Sequence, residues 1–295
     1  MSKNRNLKYQ FLNCIERSFK ERMDKHSIKA QGKDNSKIFS YADRKNLIDL
    51  SSNFANWMRE NHNEVKQLKD INSNHIQEFL AFKAQSCSQA TLNQYQSHFR
   101  KLETLTNNVY KTSVDFHNVV VPQSVVNGGG KLRNDMLSES DYNKLMQSTN
   151  QNFKNALLLS RAFGLRASEC SKVKGTDFRQ DGLHIVDSKG KRSRIIQYET
   201  KGQLALKEKF ENMQRICTCK TSSLQQAFNR EKKKIGLSSA SDFHASRKSY
   251  ATERFQEYRK NGLSLQQALD KVSHNLGHND NRNDLMKEYI CCPIQ

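Results

Sequence analysis

The chain has 295 residues, enough for two domains or one large one. Lysine and arginine total 49 against 30 acidic residues, a formal +19, and so large an excess costs self-repulsion unless a polyanion, usually nucleic acid, relieves it. There is no run of about 18 apolar residues to span a membrane, no apolar core of a secretory signal at the start, and no zinc or disulfide spacing among the seven cysteines, which are expected as free thiols in a reducing cytosol.

With only two prolines and recurrent helical spacing, the sequence predicts a mainly α protein carrying a small antiparallel β-sheet. Leu7, Phe11, Ile15 and Phe19, four apart, predict a first helix. The polar stretch Lys25 to Lys37 reads as a loop or tether, so residues 1–37 are expected as a helix and its tether. From Ser40 the helical period returns at Leu47, Leu50, Phe54, Trp57 and Met58. It continues at Ile76, Phe79, Leu80 and Phe82, and then at Leu92, Tyr95, Phe99 and Leu102. Residues 38–118 are therefore expected to form an all-α helical bundle. Lys83, His98, Arg100 and Lys101 give it basic edges, with Lys83 and Arg100 as candidate DNA contacts.

Pro122 and the triplet Gly128 to Gly130 break the pattern, which predicts a linker over 119–130. Residues 131–295 form the expected second domain, of α+β class. Ala156 to Phe163 is strongly apolar and stops at Gly164, a candidate helix C-cap. Leu183, Ile185 and Val186, a turn around Ser188-Lys189-Gly190, then Ile195 and Ile196 predict a β-hairpin. Its tip supplies Lys189, Lys191, Arg192 and Arg194, which also fit a generic phosphate-contacting hairpin. Leu265, Ala268, Leu269, Val272 and Leu276 mark a later helix.

Four phrases in this half carry candidate chemistry. Gly164-Leu165-Arg166-Ala167-Ser168-Glu169 sets an arginine at the start of a helix, where a guanidinium and backbone amides face one phosphate together; a surface arginine paired with Glu169 fits it equally. His244 and Arg247 are three apart and share a helix face, which joins a proton carrier to a phosphate clamp but also fits an ordinary polar face. Lys248 follows as a further candidate DNA contact. Leu276-Gly277-His278 comes next, and Tyr289 eleven residues after His278. A phenol, with an unperturbed pKa of about 10, needs a base or a strongly positive pocket to act as a nucleophile.

In their order, arginine, hairpin lysine, His-x-x-Arg, Gly-His and tyrosine, residues 131–295 resemble the catalytic domain of the tyrosine recombinase (phage integrase) family. Gly164-Leu-Arg-x-Ser-Glu169 is similar to the first arginine box, and His244-x-x-Arg247 with Ser249-Tyr250-Ala251-Thr252 to the second. Leu276-Gly277-His278 is similar to the third box and Ser188-Lys189-Gly190-Lys191 to the hairpin lysine motif. Residues 40–110 resemble the family's helical core-binding domain less specifically. Three features depart from the pattern. Ser246 stands where leucine is usual, Lys248 where histidine is common, and Tyr289 lies two residues beyond the commonest spacing, with only six residues after it.

The resemblance implies a site-specific recombinase that cleaves and rejoins DNA through a 3′-phosphotyrosyl intermediate. Tyr289 would be the nucleophile, with Arg166 and Arg247 clamping the phosphate. Lys189 would protonate the leaving 5′ oxygen, His244 would accept the phenolic proton, and His278 would hydrogen-bond the phosphate. No cofactor and no metal is implied. The implied partners are double-stranded DNA, a homo-tetramer on paired DNA sites, and accessory DNA-bending or directionality proteins. The implied location is the cytoplasm, at the nucleoid. Two other readings stay open here, a type IB topoisomerase-like nicking and resealing enzyme and a catalytically silent DNA-binding protein.

Overall fold

The computed structural model describes residues 6–21, 23, 25–32, 37–126, 136–188, 193–237, 242–278 and 281–294. The chain divides into two compact units, Met1–Gly130 and Lys131–Gln295.

Among its described residues the first unit is helical apart from one parallel bridge between Phe19 and Ile38: α1 (Leu7–Ser18), α2 (Lys25–Ala30), α3 (Tyr41–Asn61), α4 (Ser73–Ala84) and α5 (Gln89–Tyr110). Ser40, Asn72 and Ser88 cap α3, α4 and α5 by accepting backbone N–H bonds, which removes orphan donors at each start. The apolar spacing read from the sequence becomes one core. Phe54 packs edge-on against Phe11, Phe79 and Phe99 at 6.1, 5.1 and 5.1 Å and stacks on Trp57.

Three details differ from the sequence reading. Residues 1–37 were set apart as a helix and tether, yet Leu7, Phe11, Cys14 and Ile15 are buried in the same core as α3 to α5. The polar stretch expected as a loop contains α2, which the period could not reveal because it lacks an apolar stripe. The linker, finally, does not begin at 119. Val119 and Val120 carbonyls accept from Gln96 and Gln77, the Pro122 carbonyl accepts from Gln89, and Val125 N–H donates to the Ala84 carbonyl. Glutamines of α4 and α5 thus fasten this strand-like segment, and Gly128 to Gly130 lie outside the described residues.

The second unit holds α6 (Glu139–Leu145), α7 (Gln151–Phe163), the single turn α8 (Ala167–Cys170), β1 (Phe178–Arg179), β2 (Gly182–Ile185), β3 (Arg194–Ile196), α9 (Lys201–Phe210), α10 (Thr221–Lys234), α11 (Phe243–Lys260), α12 (Leu265–Asn275) and α13 (Asn283–Tyr289). The sheet is antiparallel in the order β1-β2-β3, with Leu183 opposite Ile196 and Ile185 opposite Arg194. The predicted hairpin is therefore present, extended by a two-residue β1 too short to read by alternation. Gly164 ends α7 in the left-handed region, at φ 62°. A Cβ there would come within 2.5 Å of the Tyr250 ring, so glycine satisfies both the cap and the close packing of α11.

Two apolar clusters support this unit. One gathers Phe153, Phe163, Phe178, Phe210, Phe228 and Phe243; the other gathers Tyr250, Phe255, Leu269, Val272, Met286, Tyr289 and Ile290. Helix α11 runs between α7 and α12, and every residue from Ala245 to Thr252 is buried.

Candidate active site

The site begins with Glu169, a carboxylate whose side chain is only 2% exposed. It lies in the one-turn helix α8 and accepts the Arg166 backbone N–H at 2.8 Å, closing the capping turn. Its two oxygens also receive Arg166 Nη1 at 3.0 Å, Arg194 Nη1 at 2.9 Å and Arg194 Nη2 at 3.1 Å. The Ser188 hydroxyl donates to it as well, and Arg247 Nη1 is 3.9 Å away. Burial by itself raises a carboxyl pKa. Here the hydrogen bonds and charge of Arg194, aided by Arg247 and Ser188, prevail and hold Glu169 well below the usual carboxylate range.

Arg247, on α11, is completely buried. It donates to the carbonyls of Gly164, at the end of α7, and of Leu276, at the end of α12. Burial, together with the nearby charge of Arg166, lowers its pKa to about 10, so it stays charged at neutral pH. Among the described residues, three guanidinium groups around one carboxylate leave an excess of two positive charges, suited to an oxyanion such as a phosphate.

The Gly-His phrase turns out of α12 directly over this cluster. His278 Nε2 lies 3.3 Å from Arg166 Nη2 and 3.5 Å from Arg247 Nη2. A guanidinium has no lone pair to offer, so Nε2 is the acceptor and the ring proton sits on Nδ1. Burial first, then the charges of Arg247 and Arg166, push His278 down to about 4, which keeps it neutral near pH 7. Gly277, at φ 71°, makes the approach possible, because a Cβ there would lie 2.8 Å from Arg194 Nη1 and 3.4 Å from Arg166 Nη1. Gly277→Ala is expected to cost about 1–2 kcal/mol from the left-handed backbone alone. Thermal unfolding should register at least that loss, because the new methyl also displaces the arginines.

Tyr289 ends α13 and is 8% exposed. Its ring centroid lies 5.0 Å from that of His244 and 5.5 Å from that of His278, and Arg247 Cζ stands 5.3 Å from it. The chain after it is held in place: Cys291 N–H donates to Thr252 Oγ1 at 2.9 Å, and Ile290 is buried in the α11–α12 cluster. The Tyr289 ring therefore meets Arg247 and both histidines of its own chain. The other tyrosines of α11 do different work. Tyr250 and Tyr258 hydroxyls both accept from Asn275 at 3.1 Å, and Tyr258 donates to Glu199. Burial raises the pKa of both well above that of a free phenol.

Of the catalytic residues expected from the sequence, Arg166, His244, Arg247, His278 and Tyr289 come together in this one cluster. Lys189, with Lys191 and Arg192, lies outside the described residues. Ser188, its neighbour in sequence, reaches both Glu169 and Arg166. Two expected DNA contacts are buried. Arg194, read as part of the hairpin tip, is 8% exposed and points inward with Ile196, while Ile195 between them faces out. Lys248 is 3% exposed within α11. Arg100 is exposed on α5, and Lys83 is half-buried with its ammonium over the Phe79 and Phe82 rings at 5.4 and 5.2 Å. The sequence reading missed Glu169 as the shared counter-ion and Ser188 as its support. Strand alternation counted back from Ile196 would have turned Arg194 inward. Among the described residues one trio could offer metal ligands, Glu103, Asp115 and His117. The Glu103 carboxylate there already accepts the backbone N–H groups of Phe116 and His117, so the trio serves as a loop clasp.

No protein-family model and no curated protein sequence matches the chain. Solved structures do. A lambda integrase tetramer bound to a Holliday junction aligns with TM-score 0.62 at 16% identity, over 95% of this chain and 80% of that one. The Tn1549 transposon integrase in complex with circular intermediate DNA aligns with TM-score 0.56 at 12% identity, over 98% and 96%. The XerH site-specific recombinase on a palindromic difH substrate aligns with TM-score 0.55 at 16% identity, over 83% and 74%. The chain has the tyrosine recombinase fold. Within that tyrosine recombinase fold, the arginine, histidine and tyrosine boxes read from the sequence occupy the ends of α7, α11, α12 and α13 around Glu169. No described helix is long and apolar enough to cross a membrane.

Proposed function

We propose that the protein is a DNA strand transferase of the site-specific recombinase type, with Tyr289 as nucleophile. The observation that carries this reading is the placement of the Tyr289 ring against Arg247, His244 and His278 within one chain, over a cluster with an excess of two positive charges among the described residues. Simple DNA binding needs no buried phenol at its phosphate site.

In the proposed step the Tyr289 oxygen attacks the scissile phosphorus as its proton passes to His244. The phosphorus–O5′ bond breaks, and the leaving oxygen takes a proton from Lys189. A 5′-hydroxyl of a partner strand then reverses the step and frees Tyr289. One phosphodiester replaces another, so the exchange needs no external energy source. Arg166 and Arg247 offset the charge that develops on the non-bridging oxygens. Once the anion draws both guanidinium groups away from Nε2, the His278 ring proton can move from Nδ1 to Nε2, and only in that tautomer does Nε2 donate to the phosphate. Because Arg247 lies fully buried beneath the Tyr289 ring, α13 must shift for the phosphate to enter.

The solved relatives include a dimer on a core site and a tetramer on a Holliday junction. By that likeness the proposed partner is double-stranded DNA, and the proposed assembly is a tetramer on two sites. The helical unit, which includes α1 as well as α3 to α5, would grip the duplex through Lys83 and Arg100. Phosphate contacts then dominate affinity. Between 50 and 200 mM salt the Kd should rise by about 10³ to 10⁵ if six to ten phosphates are neutralised.

The test is a DNA substrate nicked near the cleavage position, so that the cut fragment diffuses away and the intermediate is trapped. The expected result is a covalent adduct on Tyr289. Binding without any adduct would return the silent DNA-binding reading. Relaxation of supercoiled plasmid by monomers, without two-site joining, would favour the topoisomerase-like one.

A further inference from the structure

We infer that Arg194 is a positioning residue of the strand-transfer site rather than a DNA contact: its two-pronged bond to Glu169 and its bond to the Asn275 carbonyl join the hairpin, the first arginine box and the Gly-His turn into one rigid unit. This rests on the strand-transfer reading for its consequence in cleavage, but not for its geometry.

Four observations carry it. Arg194 Nη1 and Nη2 reach the two Glu169 oxygens at 2.9 and 3.1 Å, and Nε donates to the Asn275 carbonyl at 2.7 Å. The same Glu169 oxygens hold Arg166 by its backbone N–H and its Nη1. The turn after Asn275 supplies the Leu276 carbonyl that holds Arg247, and then His278. Finally, Arg194 starts β3, opposite Ile185, on the strand that leaves the hairpin carrying Lys189. A displacement of Arg194 is thus felt at Arg166, at Arg247, at His278 and at the base of the hairpin together. Its side chain is 4% exposed and its Nε, Nη1 and Nη2 all donate within the protein, whereas Arg247 keeps a buried Nε without a partner.

Lysine keeps the charge but cannot reproduce a planar fork with a third donor on Nε. Arg194→Lys should therefore bind the DNA substrate within about twofold of wild type, with the same dependence on salt, yet form the covalent adduct at least tenfold more slowly. The loss should fall on the single-turnover rate and not on Kd. Two outcomes overturn the assignment: cleavage within twofold of wild type, or a salt dependence shallower by about one phosphate contact, the mark of a direct backbone contact.

A measurement on the unmodified protein stands beside it, in case the lysine variant does not fold. Nitrogen-15 NMR of the arginine side chains should show an Arg194 Nε–H that exchanges slowly with solvent and does not shift when DNA is added. Free exchange and a large shift on DNA would overturn the assignment. Should wild type form no adduct at all, the strand-transfer reading falls, while the exchange measurement still decides where Arg194 is held.

Discussion

Tyr289→Phe is expected to bind DNA as tightly as wild type and to leave it uncut. The phenyl ring keeps its place against Arg247, His244 and His278, so the packing of α13 survives. Only the attacking oxygen is gone. Loss of a covalent nucleophile is expected to lower the rate by at least about 10⁴. Denaturing gels of a nicked substrate should show no protein–DNA adduct above background, while gel shifts remain. The contrast lies in Tyr250 and Tyr258. Their hydroxyls are held by Asn275 and not placed against Arg247 as the Tyr289 ring is, so Tyr250→Phe and Tyr258→Phe should each cost about 1–2 kcal/mol of stability through unsatisfied partners and still form the adduct. An adduct retained by Tyr289→Phe, or lost only in the α11 tyrosine variants, would remove Tyr289 from the mechanism.

Glu169→Ala should have the largest effect on folding. It strands Arg194, Arg166 and Arg247 beside one another without their shared counter-ion. Breaking a buried ion pair by removing one partner costs about 3–5 kcal/mol, and more than one pair is broken here. Chemical denaturation followed by circular dichroism checks it; a loss under about 1 kcal/mol would contradict the shared role.

The same groups set the acid limit. Glu169 is held below the ordinary carboxyl range and His278 is pushed from 6.5 to about 4, so for both the unfolded chain binds protons more readily than the folded one. Stability therefore falls as pH falls. The His278 part is complete above pH 6.5 and is lost towards 4. The Glu169 part is complete above its ordinary value of 4.5 and is lost below it. In Glu169→Ala the second loss should be absent.

Much of this was legible in the sequence because the physics is local. Phe54, Phe79 and Phe99 could be placed in one core from helical spacing, and Gly164 could be read as a cap because only glycine sits easily in the left-handed region. The three boxes stood out because several residue types recur in a fixed order. What stayed hidden depends on direction and on burial. Arg194 was counted with the hairpin tip because a basic run looks continuous in one dimension, although the pleat sends its members to opposite faces. Helix α11 shows no apolar stripe, yet Ala245 to Thr252 is enclosed on all sides, so Arg247 and Lys248 went inward against the usual preference of their side chains. The inward turn of Arg247 follows from two carbonyls far apart in sequence, at Gly164 and Leu276, and no window along the chain contains both.

The excess positive charge around Glu169 also bears on how the protein is handled. Guanidinium groups hold a DNA phosphate by charge and by forked hydrogen bonds, which inorganic phosphate and sulfate also accept, so under the proposed function such salts should compete with DNA beyond their general ionic strength. Chloride buffers of matched ionic strength should not compete in this way, and vanadate, which adopts the five-coordinate shape of phosphorus in mid-transfer, becomes a natural probe for trapping the site.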